Sequence, residues 1–338
     1  TEAFLLPIIA DLISDSKKWK SDRKRAVRSL ILYPLNALAE DQMIRLRRSL
    51  NSSTSNGGGA RNWLDQNRKI NDQESHRFYF GRYTGKTPIS GKNIKKNYSR
   101  FKDERANHNK DWLAAQKAFK DTNNDDLLYH VPCMDRDSAE MWDRWSMQVD
   151  PPDILITNYS MLNIMLMREQ EASIFQQTKE WLSENKENIF HLVIDEMHTY
   201  RGTSGTEVAY LIRLLLDRIG LSPNSPQVQF LSTSASMQEN LKTREFLTSF
   251  FGVDKIYYDH KFEILSKPSH EFINTAPNEI IPIELFTTFA RDMNNGKTDE
   301  ALNKLFKETH CKKPFDVINK YKIIDWLKYD MQNEDGEL

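Results

Sequence analysis

One short apolar run, residues 190–194, ends in two adjacent carboxylates, Asp195 and Glu196, with a histidine, His198, close behind. Continuous apolar runs of this length are typical of strands buried within a parallel sheet. Open α/β sheets bind their ligands at the carboxyl ends of such strands. An acidic pair at that place can hold a Mg²⁺ ion and orient a water molecule towards the γ-phosphate of a nucleotide. The run therefore predicts both a buried strand and a candidate catalytic site.

Four further apolar runs predict the rest of a sheet. They lie at residues 29–33, 77–80, 153–157 and 228–232. The segments between them have helical periodicity, most clearly from Val208 to Ile219, where Gly220 ends the apolar stripe. Short, nearly unalternating strands separated by helices are typical of a parallel sheet covered on both faces. The sequence thus predicts an α/β fold with a mostly parallel sheet.

A polar insertion, at about residues 51–130, interrupts this pattern. Residues 77–105 carry nine lysines and arginines with six interleaved aromatic residues, against only Asp103 and Glu104. Such a segment is typical of a nucleic-acid-binding surface, but a solvated loop and a small local aromatic core are also consistent with it. After about residue 265 the pattern changes, and residues 266–338 are predicted to form a helical linker or accessory segment.

The composition removes several classes of protein. The 338-residue chain is 39% hydrophobic with a net charge of −1, so it supports a real core and its global charge indicates no particular partner. Its two cysteines, Cys133 and Cys311, have no paired spacing, which argues against a disulfide framework or a structural zinc site. No apolar run approaches the roughly 18 residues of a membrane span, and no signal peptide is recognisable. We expect a cytoplasmic protein that does not enter membranes.

Polar residues follow two of the other predicted strands. Pro34, Asn36 and Gln42 follow the first, where a strand-to-helix turn points backbone N–H groups outwards and favours a phosphate. Thr157 and Asn158 end the third, and small polar groups there can contact a sugar-phosphate backbone without reading bases. Ordinary helix capping and turn chemistry are the alternatives at both places.

Hydroxyl-bearing residues follow the last predicted strand. Its end consists of five small residues, Ser232, Thr233, Ser234, Ala235 and Ser236, and the four hydroxyl groups there can hydrogen-bond His198 and the acidic pair. A simple turn is the alternative interpretation.

The segment Gly85-Lys86-Thr87 looks like the end of a phosphate-binding loop but does not satisfy that motif. The preceding glycine is one residue too close, and Pro88 follows where a helix should open. A turn beside a nucleic-acid backbone, at Thr84 and Gly85, fits this segment better.

Together these motifs resemble the first motor domain of the superfamily 2 DEAD/DEAH-box helicases, over about residues 1–265. The residues that carry the resemblance follow the family's order: Pro34 to Gln42, Tyr83-Thr84-Gly85 with Thr87-Pro88, Pro152 to Leu162, the Walker B box Asp195-Glu196-Met197-His198, and Ser234-Ala235-Ser236 at motif III. Met197 and Ser236 depart from the usual residues. The sequence of residues 199–202 is similar to the corresponding segment of Lhr-like helicases and of helicases with a DUF1998 domain. It is also similar to that of bacterial anti-phage defence helicases of the DISARM type.

The resemblance implies a RecA-like ATP-binding domain that uses ATP and Mg²⁺. Asp195 and Thr1 would hold the metal, and Glu196 would activate the attacking water. His198 would couple nucleotide state to strand grip, with a nucleotide-side contact formed by Ser234, Ala235 and Ser236. Nucleic-acid contacts would come from Pro34, Asn36, Gln42, Thr84, Gly85, Thr157 and Asn158. The implied partners are DNA rather than RNA, a second RecA-like domain in the parent chain, and defence-system subunits.

Two departures from the family limit what this chain does alone. Thr1 resembles the residue after a Walker A lysine, without the glycines and lysine of that loop, and nothing after residue 265 resembles the second motor domain. In-line phosphoryl transfer depends on the positioning and charge stabilisation that those parts supply. We therefore expect negligible ATPase activity from the isolated chain. For the intact protein, a catalytically inactive scaffold and a translocase or remodeller that moves on duplexes without unwinding them stay open as alternatives.

Overall fold

The fold is built on a six-stranded sheet in a computed structural model of the chain. The structure describes residues 4–20, 23–34, 36–51, 59–69, 76–200, 202–235, 237, 240–264, 283–295, 297–311, 317 and 320. The chain divides into two compact units, Thr1–Ile264 and Leu265–Leu338. The assignment of the first of them as an ATP-binding domain stays a prediction.

The sheet belongs to the first unit, and all of its strand pairs are parallel. The strands are β1 (Ser29–Tyr33), β2 (Phe80–Arg82), β3 (Glu140–Met141), β4 (Ile154–Asn158), β5 (Phe190–Ile194) and β6 (Val228–Ser232). Their order across the sheet is β3-β2-β4-β1-β5-β6. The predicted α/β fold with a mostly parallel sheet and helices on both faces is confirmed.

Helices connect the strands and cover the sheet. In the first unit they are α1 (Leu5–Ser16), α2 (Asn36–Leu46), α3 (Gly59–Asn67), α4 (Tyr98–Thr122), α5 (Asp126–Tyr129), α6 (Arg144–Val149), α7 (Tyr159–Met167), α8 (Ala172–Glu184), α9 (Gly202–Arg218), α10 (Leu241–Phe251) and α11 (Tyr258–Lys261). The second unit contains α12 (Ile283–Asn294) and α13 (Thr298–Thr309), which pack against each other.

Two hydrophobic cores form because alternate strand residues point to opposite faces of the sheet. On one face, Leu32 and Ile194 are buried beneath α7, α8, α9 and α10. On the other face, Tyr33 and Val193 are buried against α1, α2 and α3. The connection from β1 leads towards β2 and that from β5 leads the opposite way to β6, so α2 and α9 lie on opposite faces. In open α/β sheets, ligands bind in a crevice at such a reversal of strand order, so a ligand crevice is expected at the carboxyl ends of β1 and β5.

Four strands lie within one residue of the predicted positions, but β2 begins later than expected. The N–H group of Tyr79 donates to the Asp153 carboxylate at 2.8 Å instead of to a neighbouring strand. The ladder starts at Phe80, whose N–H donates to the carbonyl of Ala139 at 3.1 Å. Strand β3 has only two residues and no apolar run, so the pattern of apolar residues does not predict it.

The solvated-loop interpretation of the insertion is wrong for residues 98–122, which form the 25-residue helix α4. Phe101 stacks on Trp142 and Trp145, with ring centroids 5.6 Å away in both cases. The indole N–H of Trp112 donates to Asp135 at 2.8 Å. These contacts support the local aromatic core.

A buried ion pair joins the end of α2 to the edge strand. Arg47 lies in a short π-helical turn, Arg47–Asn51, and donates through Nε and Nη2 to both oxygens of Glu140 at 2.8 Å. Its Nη1 donates to the carbonyl of Tyr129 at 2.9 Å. Paired bidentate geometry of this kind satisfies both buried charges.

Among the described residues, no helix combines the length and the apolar character needed to cross a bilayer.

At the amino edge of the sheet, the buried carboxylate of Asp153 holds three segments together. Its Oδ1 accepts hydrogen bonds from Arg28, at 2.8 Å, and from Arg23. Its Oδ2 accepts the Tyr79 N–H, and its carbonyl accepts the N–H groups of Arg28 and Ser29. Burial alone would raise the pKa of the Asp153 carboxyl, but the two guanidiniums lower it below its ordinary value.

We expect Asp153→Asn to lower the free energy of unfolding by about 3–5 kcal/mol, because it removes the carboxylate that pairs with the buried Arg23 guanidinium and one of the two that pair with Arg28. Urea unfolding at neutral pH measures the loss. Because the folded pKa lies below the unfolded value of about 3.9, the stabilisation is present above that value and disappears as the pH falls through the folded pKa. The difference between wild type and variant should therefore shrink in acid.

The matched control is Asp41→Asn, which removes an exposed partner of Arg45 on α2. Exposed pairs contribute about 0–1 kcal/mol, so this variant should stay close to wild type. Equal losses from the two substitutions would contradict the structural role given to Asp153.

Candidate functional site

The parallel sheet gathers the predicted site residues along its carboxyl edge. Their order there is Thr84 and Gly85 after β2, Thr157 and Asn158 at the end of β4, Pro34 and Asn36 after β1, Asp195 and Glu196 after β5, and Ser234 and Ala235 after β6. Neighbouring strands lie about 4.8 Å apart, so the ends of β4 and β5 are about 10 Å apart. Thr1 and Ser236 lie outside the described residues.

Asp195 is fully buried, at 0% exposure, and only one of its carboxylate oxygens is satisfied. Oδ1 accepts the hydroxyl hydrogen of Thr233. Among the described residues, none donates a hydrogen bond to Oδ2. Burial and the Asp195 carboxylate together raise the pKa values of the Tyr33 and Tyr200 hydroxyls above their ordinary range. Asp195 is therefore a buried carboxyl group with one unpaired oxygen among the described residues.

An open carboxylate oxygen is what a Mg²⁺ site of the nucleotide type needs from the protein. Mg²⁺ keeps several of its waters and usually binds through one or two carboxylates plus the phosphates of the substrate. In the part of the chain that the structure describes, no group of three or more His, Cys, Asp or Glu side chains could hold a metal by itself. The residues present fit a Mg²⁺ ion that arrives with a nucleotide, and do not form a cage of protein ligands.

Glu196 occupies a strained backbone conformation. Its φ of 52° and ψ of 48° lie in the left-handed region, where a non-glycine residue is uncommon and costs free energy. Hydrogen bonds maintain it: its N–H donates to the Thr233 hydroxyl at 3.2 Å, and its carbonyl accepts the Thr199 N–H at 2.9 Å. Its carboxylate is about one-third exposed and lies 3.3 Å from Nδ1 of His198.

The hydroxyl of Thr233 joins the two carboxylate residues. It donates to Asp195 and accepts from the N–H of Glu196. The sheet register explains the placement, because Ile194 pairs with Ser232 and the next residue on each strand therefore lies side by side. The sequence predicted that the hydroxyl-bearing strand end bonds the acidic pair, and Thr233 is the residue of that end that does so. Ser234 and Ala235 follow at the same tip, half-buried and exposed respectively.

The start of α1 lies at the same level as Asp195. Asp15, near the end of α1, bonds Arg28 just before β1 at 3.0 Å, so the helix runs from the carboxyl edge towards the amino edge. From Asp15 back to Phe4 is about 16 Å at 1.5 Å per residue, and from Arg28 to Tyr33 is also about 16 Å at 3.3 Å per residue. Phe4 and Tyr33 accordingly belong to the same buried cluster.

The ends of β1 and β4 are joined by two asparagines. The amide N–H of Asn158 donates to Oδ1 of Asn36 at 2.9 Å. Oδ1 of Asn158 also caps α7 by accepting the N–H of Met161 at 2.8 Å. Both asparagines, like Pro34, are half-buried and border the crevice.

Buried residues set the shape of the turn after β2. The Thr157 hydroxyl donates to the Tyr83 carbonyl at 2.6 Å, and Arg144 donates to the Thr84 carbonyl at 2.7 Å. Thr84 and Thr157 are buried, whereas Gly85 is exposed. Gln42 is only 2% exposed, on the inner side of α2. Direct nucleic-acid contact by the three buried residues stays a prediction, while their position suits them to hold the exposed turn and helix start in place.

Comparison with known proteins gives two sequence relatives. Druantia protein DruE of Escherichia coli (strain UMEA 4076-1) is 30% identical over 375 residues, covering 97% of this chain and 19% of DruE. A protein described as uncharacterized ATP-dependent helicase MJ1574, from Methanocaldococcus jannaschii, is 30% identical over 108 residues, covering 32% of this chain and 14% of that protein. The chain thus spans less than a fifth of these relatives, and no family model matches it. It is helicase-related in sequence.

Two solved structures are also similar. The DUF1998 helicase MrfA bound to DNA superposes with a TM-score of 0.31 and 21% identity, over 67% of this chain and 18% of that one. A second structure of the DUF1998 helicase MrfA superposes with a TM-score of 0.40 and 18% identity, over 92% of this chain and 35% of that one.

We expect Thr233→Val to destabilise the first unit by about 1–3 kcal/mol, because an isosteric side chain without the hydroxyl leaves both the buried Asp195 oxygen and the Glu196 N–H unsatisfied. Thr233→Ser keeps the hydroxyl and should retain most of the stability. Urea unfolding of the two variants measures the difference. Identical stabilities for Val and Ser at this position would mean that the hydroxyl does not hold the acidic pair.

Proposed function

We propose that this chain is the nucleotide-hydrolysing and strand-gripping part of an ATP-dependent nucleic-acid helicase or translocase. The observation that carries the proposal is the buried Asp195 carboxylate, which follows directly on β5 and has one oxygen without a hydrogen-bond partner among the described residues. The sequence relationship to a protein described as an ATP-dependent helicase supports it.

On the nucleotide side, Asp195 would hold Mg²⁺, through water or directly, with Thr1 as a second oxygen ligand. When bound, the metal stabilises the negative charge that develops on the phosphates. Glu196 would orient and deprotonate the attacking water, since its carboxylate is partly exposed and its backbone is fixed beside Asp195. His198, 3.3 Å from Glu196, and the tip Ser234, Ala235 and Ser236 would sense the state of the nucleotide.

On the nucleic-acid side, the ends of β2, β4 and β1 would contact the phosphate backbone. Asn36, Asn158 and Gly85 border the crevice or are exposed. Small polar groups and backbone N–H groups at these ends bind phosphates without reading sequence. Gln42, Thr84 and Thr157 would support this contact from inside, and Pro34 would fix the start of α2. DNA is proposed as the polymer in preference to RNA, through the family branch.

Coupling between the two sides would pass through adjacent strands. Asn158 bonds Asn36 across the tips of β4 and β1, and β5 pairs directly with β1. A displacement of about one ångström at Asn36 therefore reaches the strand that carries Asp195 without any intervening loop. Packed interfaces pass on such shifts because they are not continuously deformable.

The sequence of residues 199–202 supports placement in the Lhr-like or DUF1998-associated branch of superfamily 2. A role in bacterial phage defence or DNA repair, alongside defence-system subunits and a second RecA-like domain of the same parent protein, completes the proposal.

A duplex translocase is distinguished by a triplex-displacement assay beside a strand-displacement assay on the full-length protein, because only an unwinding enzyme separates a duplex. A scaffold would show no ATP hydrolysis at all.

In the full-length protein, we expect Glu196→Gln to lower the ATP turnover number by about 10²–10⁴-fold, the usual contribution of a general base. Binding of ATP and of nucleic acid should persist, since the amide keeps the shape of the carboxylate. Steady-state ATPase assays and ATP-binding titrations measure the two effects. Glu207→Gln, an exposed change on α9, is the matched control. Unchanged hydrolysis in Glu196→Gln would remove Glu196 as the base.

The isolated 338-residue chain is expected to hydrolyse ATP negligibly, because charge stabilisation during phosphoryl transfer needs parts of the family's motor that this sequence does not contain. Its turnover is measured beside that of the full-length protein, with circular dichroism to confirm that the isolated chain is folded. A folded chain that turns over ATP near 1 s⁻¹, an ordinary rate for a slow enzyme, would contradict this expectation.

A further inference from the structure

The chain between Tyr83 and Lys102 carries six cations and no aspartate or glutamate. We call them the basic track: Lys86, Lys92, Lys95, Lys96, Arg100 and Lys102. All six are exposed, and within residues 76–200 the structure shows none of them in an ion pair. Elsewhere in the first unit, by contrast, arginines are neutralised by carboxylates, as Arg28 and Arg47 are. Within that part of the chain, the track is a run of exposed positive charge that no carboxylate pairs with at salt-bridge distance.

Side-chain contacts, centred on the buried Trp145, fix the backbone of the track. The indole N–H of Trp145 donates to the Gly91 carbonyl at 3.0 Å, and the amide of Asn97 donates to the Lys92 carbonyl at 2.9 Å. Phe101 stacks on Trp145 with an interplanar angle of 12°. A solvated charged loop would need none of these contacts.

The bend that leads into the track is strained. Ile89 is buried and has a φ of 61°, a conformation that is a genuine outlier for a β-branched residue. Gly91 follows with a φ of 98°, which suits glycine alone. Strain of this kind persists where the surroundings determine it, and it clusters at ligand-binding segments. The bend brings the chain back into contact with α6 and thereby sets the position of Lys92.

Two half-exposed apolar side chains lie among the cations. Ile94 and Tyr98 are each 48% exposed, and they flank Lys95 and Lys96. The Tyr98 ring rests on Trp145, with centroids 5.8 Å apart. Exposed aromatic rings between lysines form the stacking platform that single-stranded nucleic acids use, because unpaired bases present their faces whereas paired bases do not.

The track begins beside the edge assigned to nucleic acid. Lys86 follows Gly85 in the turn after β2, and Arg144 ties the carbonyl of Thr84 to α6, on which the track also rests. We propose that the basic track binds the phosphates of a single-stranded nucleic acid, with Tyr98 stacked on an unpaired base. This inference rests on the proposed function and extends the gripping edge outwards past β2.

The first test is the salt dependence of binding by the full-length protein. A fluorescent oligothymidylate is titrated by anisotropy across a salt series, with an oligouridylate in parallel to compare RNA with DNA. The triple variant Lys92→Gln, Lys95→Gln, Lys96→Gln should reduce the slope of log K against log salt by about 2, since each phosphate contact on a single strand contributes about 0.7. The matched control is Lys110→Gln, Lys117→Gln, Lys120→Gln, on the distal half of α4, which should leave the slope unchanged.

The second test concerns the aromatic platform. Tyr98→Ala should weaken oligothymidylate binding by about 5- to 150-fold, the usual effect of alanine substitution at a stacking position, while a fully paired duplex should bind as before. Tyr98→Trp should restore binding, which a merely structural loss would not allow.

If the triple lysine variant keeps the wild-type salt slope, the proposal that the basic track binds phosphates is wrong. If Tyr98→Ala weakens the binding of single strands and of duplex equally, the proposal that Tyr98 stacks on an unpaired base is wrong. Either result, in a protein whose ATP hydrolysis still depends on Glu196, leaves the proposed function intact. Loss of that dependence overturns the proposed function instead.

Discussion

The parallel register of β1 between β4 and β5 is the constraint on which the remaining features depend. Leu32 pairs with Ile194, and Tyr33 pairs with Asn158. Because side chains alternate along a strand, a slip of one residue would turn every side chain to the opposite face. Asp195 would then leave Thr233 and enter the core beneath α9. Correct pairing at the strand ends therefore places the acidic pair, the asparagine pair and the β2 turn together.

The site raises the free energy of the folded state, and other parts of the fold compensate for it. Asp195 is buried with an unsatisfied oxygen, and Glu196 sits in a left-handed conformation; both raise the free energy of the folded state. The cores on the two faces and the buried Asp153 cluster at the opposite edge offset that cost. The strain at Glu196 and the unpaired oxygen of Asp195 therefore adjoin each other at the carboxyl edge, where a bound ligand would supply the missing interactions.

The sequence identified the sheet because its strands are buried on both faces and appear as continuous apolar runs. It missed β3, which has only two residues, and α4, whose aromatic contacts reach Trp142 and Trp145 beyond the helix itself. Gln42 was predicted to contact nucleic acid, yet it is buried on the inner side of α2. The ion pair between Arg47 and Glu140 joins residues that are 93 positions apart in the sequence. Features set by long-range contacts are invisible to local periodicity.

The central claim is that Asp195 and Glu196 face a nucleotide-bound metal in the crevice between β1 and β5. Crystals of the full-length protein with Mn²⁺ in place of Mg²⁺ and a non-hydrolysable ATP analogue test it most directly, because the anomalous signal locates the ion. The expected result is a peak within about 5 Å of Asp195 Oδ2, the reach of direct or water-mediated coordination. A nucleotide-bound Mn²⁺ at any other place on the molecule would contradict the claim.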